Sequence, residues 1–283
     1  LSISKKPGVN AADVAEAVIR RADVTVFNDH IADPDELVAR LEPFDVVFVM
    51  RERTPLPRSI IERLPNLRMI ASTGPFNASI DVAAAEDHGI HVGTTGGTVA
   101  STVELTWALI LAGVRNLVAE SQSVRDGGWQ TSVGRELAGR TLGVLGLGRI
   151  GVRVARIGEA FGMKVIAWSQ NLTPEAAAEA GATHVSREDL FATADVLSVH
   201  LKLSGRSTGL VGAAELALMK PTALLVNTSR GPIVDEAALV AALRDRTIGG
   251  AALDVFDTEP LPPGHPLRTL DNVLATPHIG YVA

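Results

Sequence analysis

The sequence contains no cysteine. This absence excludes disulfide bonds, thiolate zinc sites and a cysteine nucleophile. Aromatic residues are also scarce, at 4% of the chain, whereas hydrophobic residues make up 46% and charged residues 20%. That balance is typical of a globular protein rather than a disordered one. With 283 residues, the chain is long enough for two domains that each bury a core.

Long hydrophobic runs and basic clusters are missing as well. The longest apolar run, residues 105–114, is bracketed by Glu104 and Arg115 and is far shorter than the roughly 20 residues of a membrane span. The net charge is −6, and no basic stretch is long enough to follow a phosphate backbone. No signal-type segment follows Leu1. We therefore expect a cytoplasmic protein whose partners are neither membranes nor nucleic acids.

In the first third of the chain, short apolar runs alternate with helical stretches. The strands predicted there cover residues 24–27, 46–50, 67–72 and 91–92, and the helices cover 34–41, 57–64 and 81–88. Asp33 and Asp81 stand where helix N-caps are expected.

The alternation restarts in the last two thirds, after a long helical stretch at residues 98–119 that predicts a connecting helix. Strands are predicted at 142–145, 164–168, 196–200, 223–226, 250–255 and 273–275, and helices at 149–161, 174–180, 187–192, 213–219 and 235–243. The strands are apolar on nearly every residue, which indicates burial on both faces of a parallel sheet. The pattern predicts a doubly wound α/β domain.

A glycine-rich turn joins the first of these strands to its helix. Gly146, Gly148 and Gly151 fit G-x-G-x-x-G, and Arg149 and Ile150 open the helix. The glycines permit a tight turn, close approach of a pyrophosphate and close packing of helix on strand. The sequence therefore predicts a dinucleotide-binding turn. The alternative is a glycine-rich turn that binds nothing.

The second strand of this unit lacks the acidic residue that usually holds the ribose hydroxyls. It ends at Trp168 and continues with Ser169, Gln170 and Asn171. A carboxylate there would repel a 2′-phosphate and these neutral side chains would not, yet no arginine follows to bind one. NAD and NADP both stay open as cofactors, and a solvated turn without specific contacts is an equal alternative.

Four segments resemble the D-isomer-specific 2-hydroxyacid dehydrogenases, a family that includes glyoxylate/hydroxypyruvate reductases. They are GRTLGVLGLGRIG at 139–151, LVNTSRG at 225–231, ALDVFDTEP at 252–260 and TPHIG at 276–280. The resemblance implies a Rossmann cofactor domain at residues 99–283 and a flavodoxin-like substrate domain at 1–98. The family completes the latter with a C-terminal helix that these 283 residues do not include. It also implies hydride transfer between NAD(P)H and a small 2-oxo or 2-hydroxy acid.

Reduction of a 2-oxo acid needs a cation on the carboxylate and an acid for the new alkoxide. Arg230 follows a buried strand at a carboxyl end, where α/β sheets bind ligands, and its planar fork suits a carboxylate. The alternative is a surface arginine on a loop. His278 follows the last strand, and imidazole gains and loses its proton nearest neutral pH. A histidine on its own is more often structural. By resemblance Glu259 is the carboxylate that pairs with His278.

Two more residues end strands at the predicted cofactor face. His200 ends one strand, and its position there sets it apart from the other histidines, which we interpret as structural. Asp254 ends another, and the resemblance implies a place for it near the nicotinamide amide. The alternative for Asp254 is an N-cap or turn aspartate.

A departure from the family pattern falls in the substrate domain, in TGPFNASID at residues 73–81. The family's loop offers successive backbone N–H groups to the substrate carboxylate, and Gly74 is predicted to contribute. Pro75 has no N–H, and Phe76 replaces a glycine and reshapes the pocket. Arg51 follows a strand and is a candidate for a second anionic group, although a solvated loop is slightly favoured for it.

Two other functions are compatible with the same motifs. One is a cofactor-sensing binding protein without significant turnover, as in the family's co-repressor relatives, and the other is action on formate or phosphite, which the loop at Pro75 and Phe76 does not favour. Residues 103–118 are apolar on more faces than one-sided packing needs. Since family members commonly dimerise through this region, we predict a homodimer.

Overall fold

The structure is a computed structural model, and it describes residues 22–50, 53–74, 77–96 and 98–282. Its contacts divide the chain into two compact units, Leu1–Gly97 (unit 1) and Thr98–Ala283 (unit 2). Arg51 and Phe76, which were singled out from the sequence, lie outside the described residues.

Unit 1 contains a parallel sheet of three strands in the order β1-β2-β3. The strands are β1 (Val46–Val49), β2 (Met69–Ser72) and β3 (His91–Thr94), and the helices are α1 (Pro34–Leu41), α2 (Arg58–Ile61) and α3 (Val82–Asp87). The predicted N-caps are confirmed, because Asp33 accepts from two N–H groups of α1 and Asp81 from one of α3. Val47 and Ile70 are buried on one face of the sheet, whereas Phe48 on the other is 62% exposed.

The prediction of a strand at residues 24–27 is wrong. The chain is irregular there, and Val24, Val26 and Phe27 are exposed. Apolar β-branched residues form a strand only where a neighbouring strand takes up their backbone hydrogen bonds. In the described part of unit 1, residues 24–27 pair with no strand, so their strand propensity has no effect.

Unit 2 is built on a seven-stranded parallel sheet in the order β10-β9-β8-β7-β4-β5-β6. Its strands are β4 (Thr141–Leu145), β5 (Lys164–Trp168), β6 (Thr183–His184), β7 (Val196–Val199), β8 (Leu224–Asn227), β9 (Gly250–Leu253) and β10 (Val273–Ala275). The chain reverses its direction of sheet growth between β4 and β7, so the carboxyl ends of these two neighbours form the crevice in which such sheets bind ligands. The predicted α/β fold with a Rossmann sheet is confirmed.

Helices cover both faces of this sheet. They are α4 (Ala100–Val114), α5 (Leu117–Arg125), α6 (Arg149–Ala160), α7 (Pro174–Glu179), α8 (Arg187–Thr193), α9 (Ala213–Leu218) and α10 (Glu236–Arg244). Short 3₁₀ turns add Gly231–Ile233 and Pro266–Arg268. One buried cluster contains Leu190, Phe191 and Leu225, and the other contains Trp107, Ile110 and Leu142. The two clusters are the two faces of one parallel sheet.

The single connecting helix predicted at residues 98–119 is divided in the structure. Helices α4 and α5 meet at an angle of 64°. Asn116, between them, takes a left-handed φ of 51°, a conformation that asparagine tolerates better than most residues. No single helix among the described residues is long and apolar enough to cross a membrane; the bent pair passes such a test together, and α4 is largely buried in the core of unit 2.

Candidate active site

The glycine-rich turn follows β4 at the crevice. Gly146 has a φ of +102°, and a Cβ there would lie 2.8 Å from the carbonyl oxygen of His200. A Cβ on Gly151 would lie 2.2 Å from the carbonyl oxygen of Gly146. Both glycines are therefore required by the protein itself, one by backbone conformation and both by packing.

Gly148 differs from its two neighbours. It precedes α6 with φ −89° and ψ −160°, which any residue adopts, and a Cβ there would meet no heavy atom within 4 Å. Nothing in the protein requires glycine at this place, whereas a pyrophosphate approaching the backbone does. The N-terminus of α6 carries no side-chain cap, with Arg149 exposed and Ile150 half-buried in its first turn. These residues fit a dinucleotide.

A cation that the sequence pattern did not indicate, Arg187, lies near the end of β5, where the adenosine ribose is expected. Ser169 follows Trp168 in a turn, with its carbonyl accepting from Leu172 N. The guanidinium carbon of Arg187 lies 6.0 Å from the Trp168 ring centre. Its Nη2 is 2.6 Å from Glu215 Oε1, so that carboxylate already balances the charge. Arg187 was missed because the short edge strand β6, which leads to it, has no apolar pattern.

His200 lies directly beside the glycine-rich turn. Its backbone N–H donates to Leu145 O at 2.8 Å, and its ring Nε2 lies 2.8 Å from Ser198 Oγ. Burial lowers the pKa of His200 to about 4, because desolvation disfavours the charged ring. His200 is thus neutral near pH 7 and a poor proton donor.

Arg230 follows β8 on a turn that the side chain of Asn227 stabilises by hydrogen bonds. Asn227 accepts from Ser229 N at 3.0 Å and donates through Nδ2 to Arg230 O at 2.9 Å. A Cβ on Gly231 would lie 2.1 Å from the carbonyl carbon of Phe256. The Arg230 turn therefore packs backbone against backbone on the loop that carries Glu259.

His278 and Glu259 meet directly. His278 Nδ1 lies 2.5 Å from Glu259 Oε2, with the two side chains 14% and 32% exposed. The other carboxylate oxygen, Oε1, accepts from Phe256 N at 2.9 Å. The ring of Tyr281, which sequence reasoning missed, packs edge-on against the imidazole at 5.2 Å between centroids. Glu259 thus engages the Nδ1 side of the imidazole.

Asp254 is almost fully buried, at 1% exposure. Its Oδ1 accepts from Thr276 Oγ1 at 2.6 Å and from Ile279 N at 2.9 Å, and its Oδ2 accepts from Gly280 N at 2.8 Å. The resemblance implied a place near the nicotinamide amide. In the structure the carboxylate binds the loop at residues 276–280, which carries His278 (the His278 loop).

In unit 1, Gly74 follows β2 with a φ of +86°. Its N–H, which was predicted to serve a substrate carboxylate, donates to Thr95 Oγ1 at 2.9 Å. Pro75 lies outside the described residues and has no N–H in any conformation. This stretch therefore offers fewer backbone donors than the family pattern implies.

Comparison with known proteins agrees with this geometry. The family model for the NAD-binding domain of D-isomer specific 2-hydroxyacid dehydrogenases matches residues 107–280. The chain belongs to that family.

The relatives are reductases and dehydrogenases of small hydroxy acids. A glyoxylate reductase of Aeropyrum pernix is 42% identical over 277 residues, which is 94% of this chain and 82% of the relative. A D-3-phosphoglycerate dehydrogenase of Archaeoglobus fulgidus is 38% identical over 87% of this chain but only 47% of its own length. The crystal structure of a phosphoglycerate oxidoreductase from Vibrio cholerae superposes with a TM-score of 0.91 at 41% identity, covering 95% of this chain and 87% of that one.

The chain is thus an NAD(P)-dependent oxidoreductase acting on the CH–OH group of a 2-hydroxy acid or on the corresponding 2-oxo acid. The binding-protein alternative is not favoured, since the matching relatives are enzymes.

Proposed function

We propose that this enzyme reduces a small 2-oxo acid with His278 as the proton donor, Glu259 as its partner and Arg230 as the carboxylate-binding cation. The observation that carries the proposal is the 2.5 Å contact between His278 Nδ1 and Glu259 Oε2. A carboxylate on one ring nitrogen stabilises the protonated imidazole and fixes its orientation.

We assign the following roles to the chain's own groups. Arg230 would hold the substrate carboxylate through its planar fork and polarise the adjacent carbonyl. As negative charge develops on that carbonyl oxygen, His278 would donate its Nε2 proton, and Glu259 would stabilise the ring while it is charged. The nicotinamide, when bound, supplies the hydride. Buried His200 is neutral and does not compete for the donor role.

The cofactor is NAD or NADP, and we assign its pyrophosphate to the turn containing Gly146, Gly148 and Gly151, with Arg149 and Ile150 at the helix start. His200 and Ser169 directly follow β7 and β5, the two strands that neighbour β4. We keep unit 1 as the substrate domain, with Gly74, Arg51 and Phe76 as candidate contacts. A cytoplasmic location remains a prediction for cell fractionation.

Substrate and residue roles are tested together by steady-state reduction of glyoxylate, hydroxypyruvate and bulkier 2-oxo acids with NADH and NADPH. Arg230→Lys keeps the charge but loses the fork, and we expect it to raise KM and lower kcat, together costing about 10–100-fold in kcat/KM. Arg246→Lys is the matched control, because Arg246 is an exposed cation paired with Asp271. Unchanged kcat/KM in Arg230→Lys would remove Arg230 from the site.

A homodimer is the second part of the proposal, with a correction to the surface involved. The apolar faces of α4 are largely buried within unit 2, whereas the exposed apolar side chains follow it: Leu117, Val118, Val124, Trp129 and Val133. Trp129 and Val133 are 79% and 86% exposed. This segment is nevertheless ordered, because Glu120 binds Thr131 and Ser132, bonds that lower the pKa of Glu120 to about 2.

Apolar side chains held this far into solvent favour an interface. Light scattering of the parent chain is expected to give twice the monomer mass of 29.7 kDa. Trp129→Ser with Val133→Ser should shift the mass toward the monomer, and Val26→Ser, at an exposed valine of unit 1, should not. A monomeric parent at micromolar concentration would contradict the dimer.

A further inference from the structure

The His278 loop is held by groups that the catalytic roles above do not use. Among the described residues, the Asp254 carboxylate accepts three hydrogen bonds, and two of them come from Ile279 N and Gly280 N, the two residues that follow His278. The third comes from Thr276 Oγ1, two residues before it. The buried carboxylate therefore binds the loop on both sides of the histidine.

This arrangement accounts for the backbone of His278. Its φ is +52°, in the left-handed region that costs an ordinary residue about 1 kcal/mol or more. A left-handed residue turns the N–H groups after it toward one point, which forms a concave anion-binding nest. Here the anion in the nest is Asp254. The charge of Asp254 thus stabilises the strained conformation that places the imidazole beside Glu259.

Helix α4 holds the same loop from another side. Thr102 Oγ1 donates to Gly280 O at 2.8 Å. Gly280 is thereby bonded through its N–H to Asp254 and through its carbonyl to Thr102. Its position is tight, because a Cβ there would lie 3.0 Å from Asp254 Oδ2 and 3.5 Å from Leu105 Cδ2.

We propose that Asp254 and Thr102 are positioning residues that act through His278, and this inference rests on the proposed role of His278 in catalysis. A carboxylate can accept about four hydrogen bonds, and the Asp254 carboxylate accepts three from the His278 loop. Asp254→Asn replaces one acceptor oxygen with a donor that faces N–H groups. Thr102→Val removes only the hydroxyl.

The first test measures kcat for glyoxylate reduction, with and without His278→Ala. Since a displacement of about 1 Å in an active site costs about 10²-fold, we expect Asp254→Asn to lower kcat by about 10²-fold and Thr102→Val by about 3–10-fold. In the His278→Ala background each should change kcat less than about twofold, because the group they position is gone. Ser101→Ala, the neighbouring position on α4, is the control.

The affinity for NADH distinguishes this inference from the alternative that the resemblance implies, a contact of Asp254 with the nicotinamide amide. NADH titrations followed by tryptophan fluorescence should give dissociation constants within about twofold of the parent for all variants. A large loss of NADH affinity in Asp254→Asn, with kcat losses that persist in the His278→Ala background, would show that Asp254 acts on the cofactor and overturn the inference.

A readout independent of turnover is the downfield proton NMR signal of a histidine Nδ1–H bonded to a carboxylate, assigned by its loss in His278→Ala. It should broaden or shift in Thr102→Val and Asp254→Asn and stay unchanged in Ser101→Ala. An unchanged signal in Thr102→Val and Asp254→Asn overturns the positioning role. If His278→Ala keeps full turnover while the signal still responds, the proposed catalytic role fails and the positioning of His278 stands. Thr102→Val is informative even if Asp254→Asn does not fold.

Discussion

The glycine-rich turn and the His278 loop lie in the same unit and are built in opposite ways. The turn is made by residues 146–151 and by their close packing against the backbone of His200 and the side chain of Val144. The His278 loop is held by hydrogen bonds to Asp254, Glu259 and Thr102, and Thr102 lies 178 positions before its partner Gly280 in the chain. A site formed by a local motif is legible in a sequence, whereas one formed by distant side chains needs the fold.

The largest effect is expected at the His278 loop. His278→Ala should lower the rate of reduction by about 10²–10⁴-fold, the usual share of general acid catalysis. The affinity for NADH should stay unchanged, because His278 is not part of the glycine-rich turn. Stopped-flow reduction and an NADH titration measure the two quantities. Loss of NADH affinity in this variant would mean that the two sites are not separable.

The glycine-rich turn can be divided further with two matched variants. Gly151→Ala places a methyl 2.2 Å from Gly146 O, so we expect it to destabilise the fold by about 1–3 kcal/mol as well as weaken NADH binding. Gly148→Ala meets no protein atom within 4 Å. It should keep the free energy of unfolding within about 0.5 kcal/mol and still weaken NADH about tenfold or more.

Urea unfolding and NADH titration of both variants make that comparison. Equal NADH affinity in Gly148→Ala and the parent would show that the open space beside Gly148 does not receive the pyrophosphate.

The enzyme is expected to discriminate only weakly between NADH and NADPH. Residues 169–174, directly after Trp168, contain no carboxylate, and the charge of nearby Arg187 is balanced by Glu215. We expect less than about a hundredfold preference for NADH over NADPH in kcat/KM, since a lost charge repulsion is worth a few kcal/mol at most. A strict preference for NADH well beyond that range would show that other residues exclude the 2′-phosphate.

The smallest effect concerns stability and pH. Burial lowers the pKa of His200 from 6.5 to about 4, so the unfolded chain takes up this proton first as the pH falls. The free energy of unfolding therefore loses this contribution as the pH drops from about 6.5 to about 4. His200→Gln removes the titrating group and keeps a partner for Ser198 Oγ. The loss of stability between pH 7.5 and 5, measured by urea unfolding, should be smaller in His200→Gln; equal losses would contradict the shift.

Much of the fold followed from the sequence because its determinants are local. Helix α1 and strands β5 and β10 have the predicted bounds, and the motif at 146–151 lies in its predicted strand-turn-helix context. Residues 24–27 failed because strand formation needs a neighbour, and the break at Asn116 was missed because a single left-handed residue leaves the apolar pattern of α4 and α5 continuous.

The site shows the same division. Arg230, Glu259 and His278 were predicted from motifs, but the contact of His278 with Glu259 could not be derived from spacing and was expected from the resemblance. Thr102 and Arg187 carry no local signal, and each reaches its partner only through tertiary packing. Tyr281 lies three residues after His278, but no motif marked its ring as a contact of the imidazole.

The measurement that tests the account most directly is the pH dependence of kcat/KM for reduction in the parent and in His278→Ala. Reduction that needs a protonated His278 should fall with rising pH in the parent and become slow and flat with pH in the variant. The same alkaline decline in both proteins would show that the proton comes from another group, and the account of the His278 loop would be wrong.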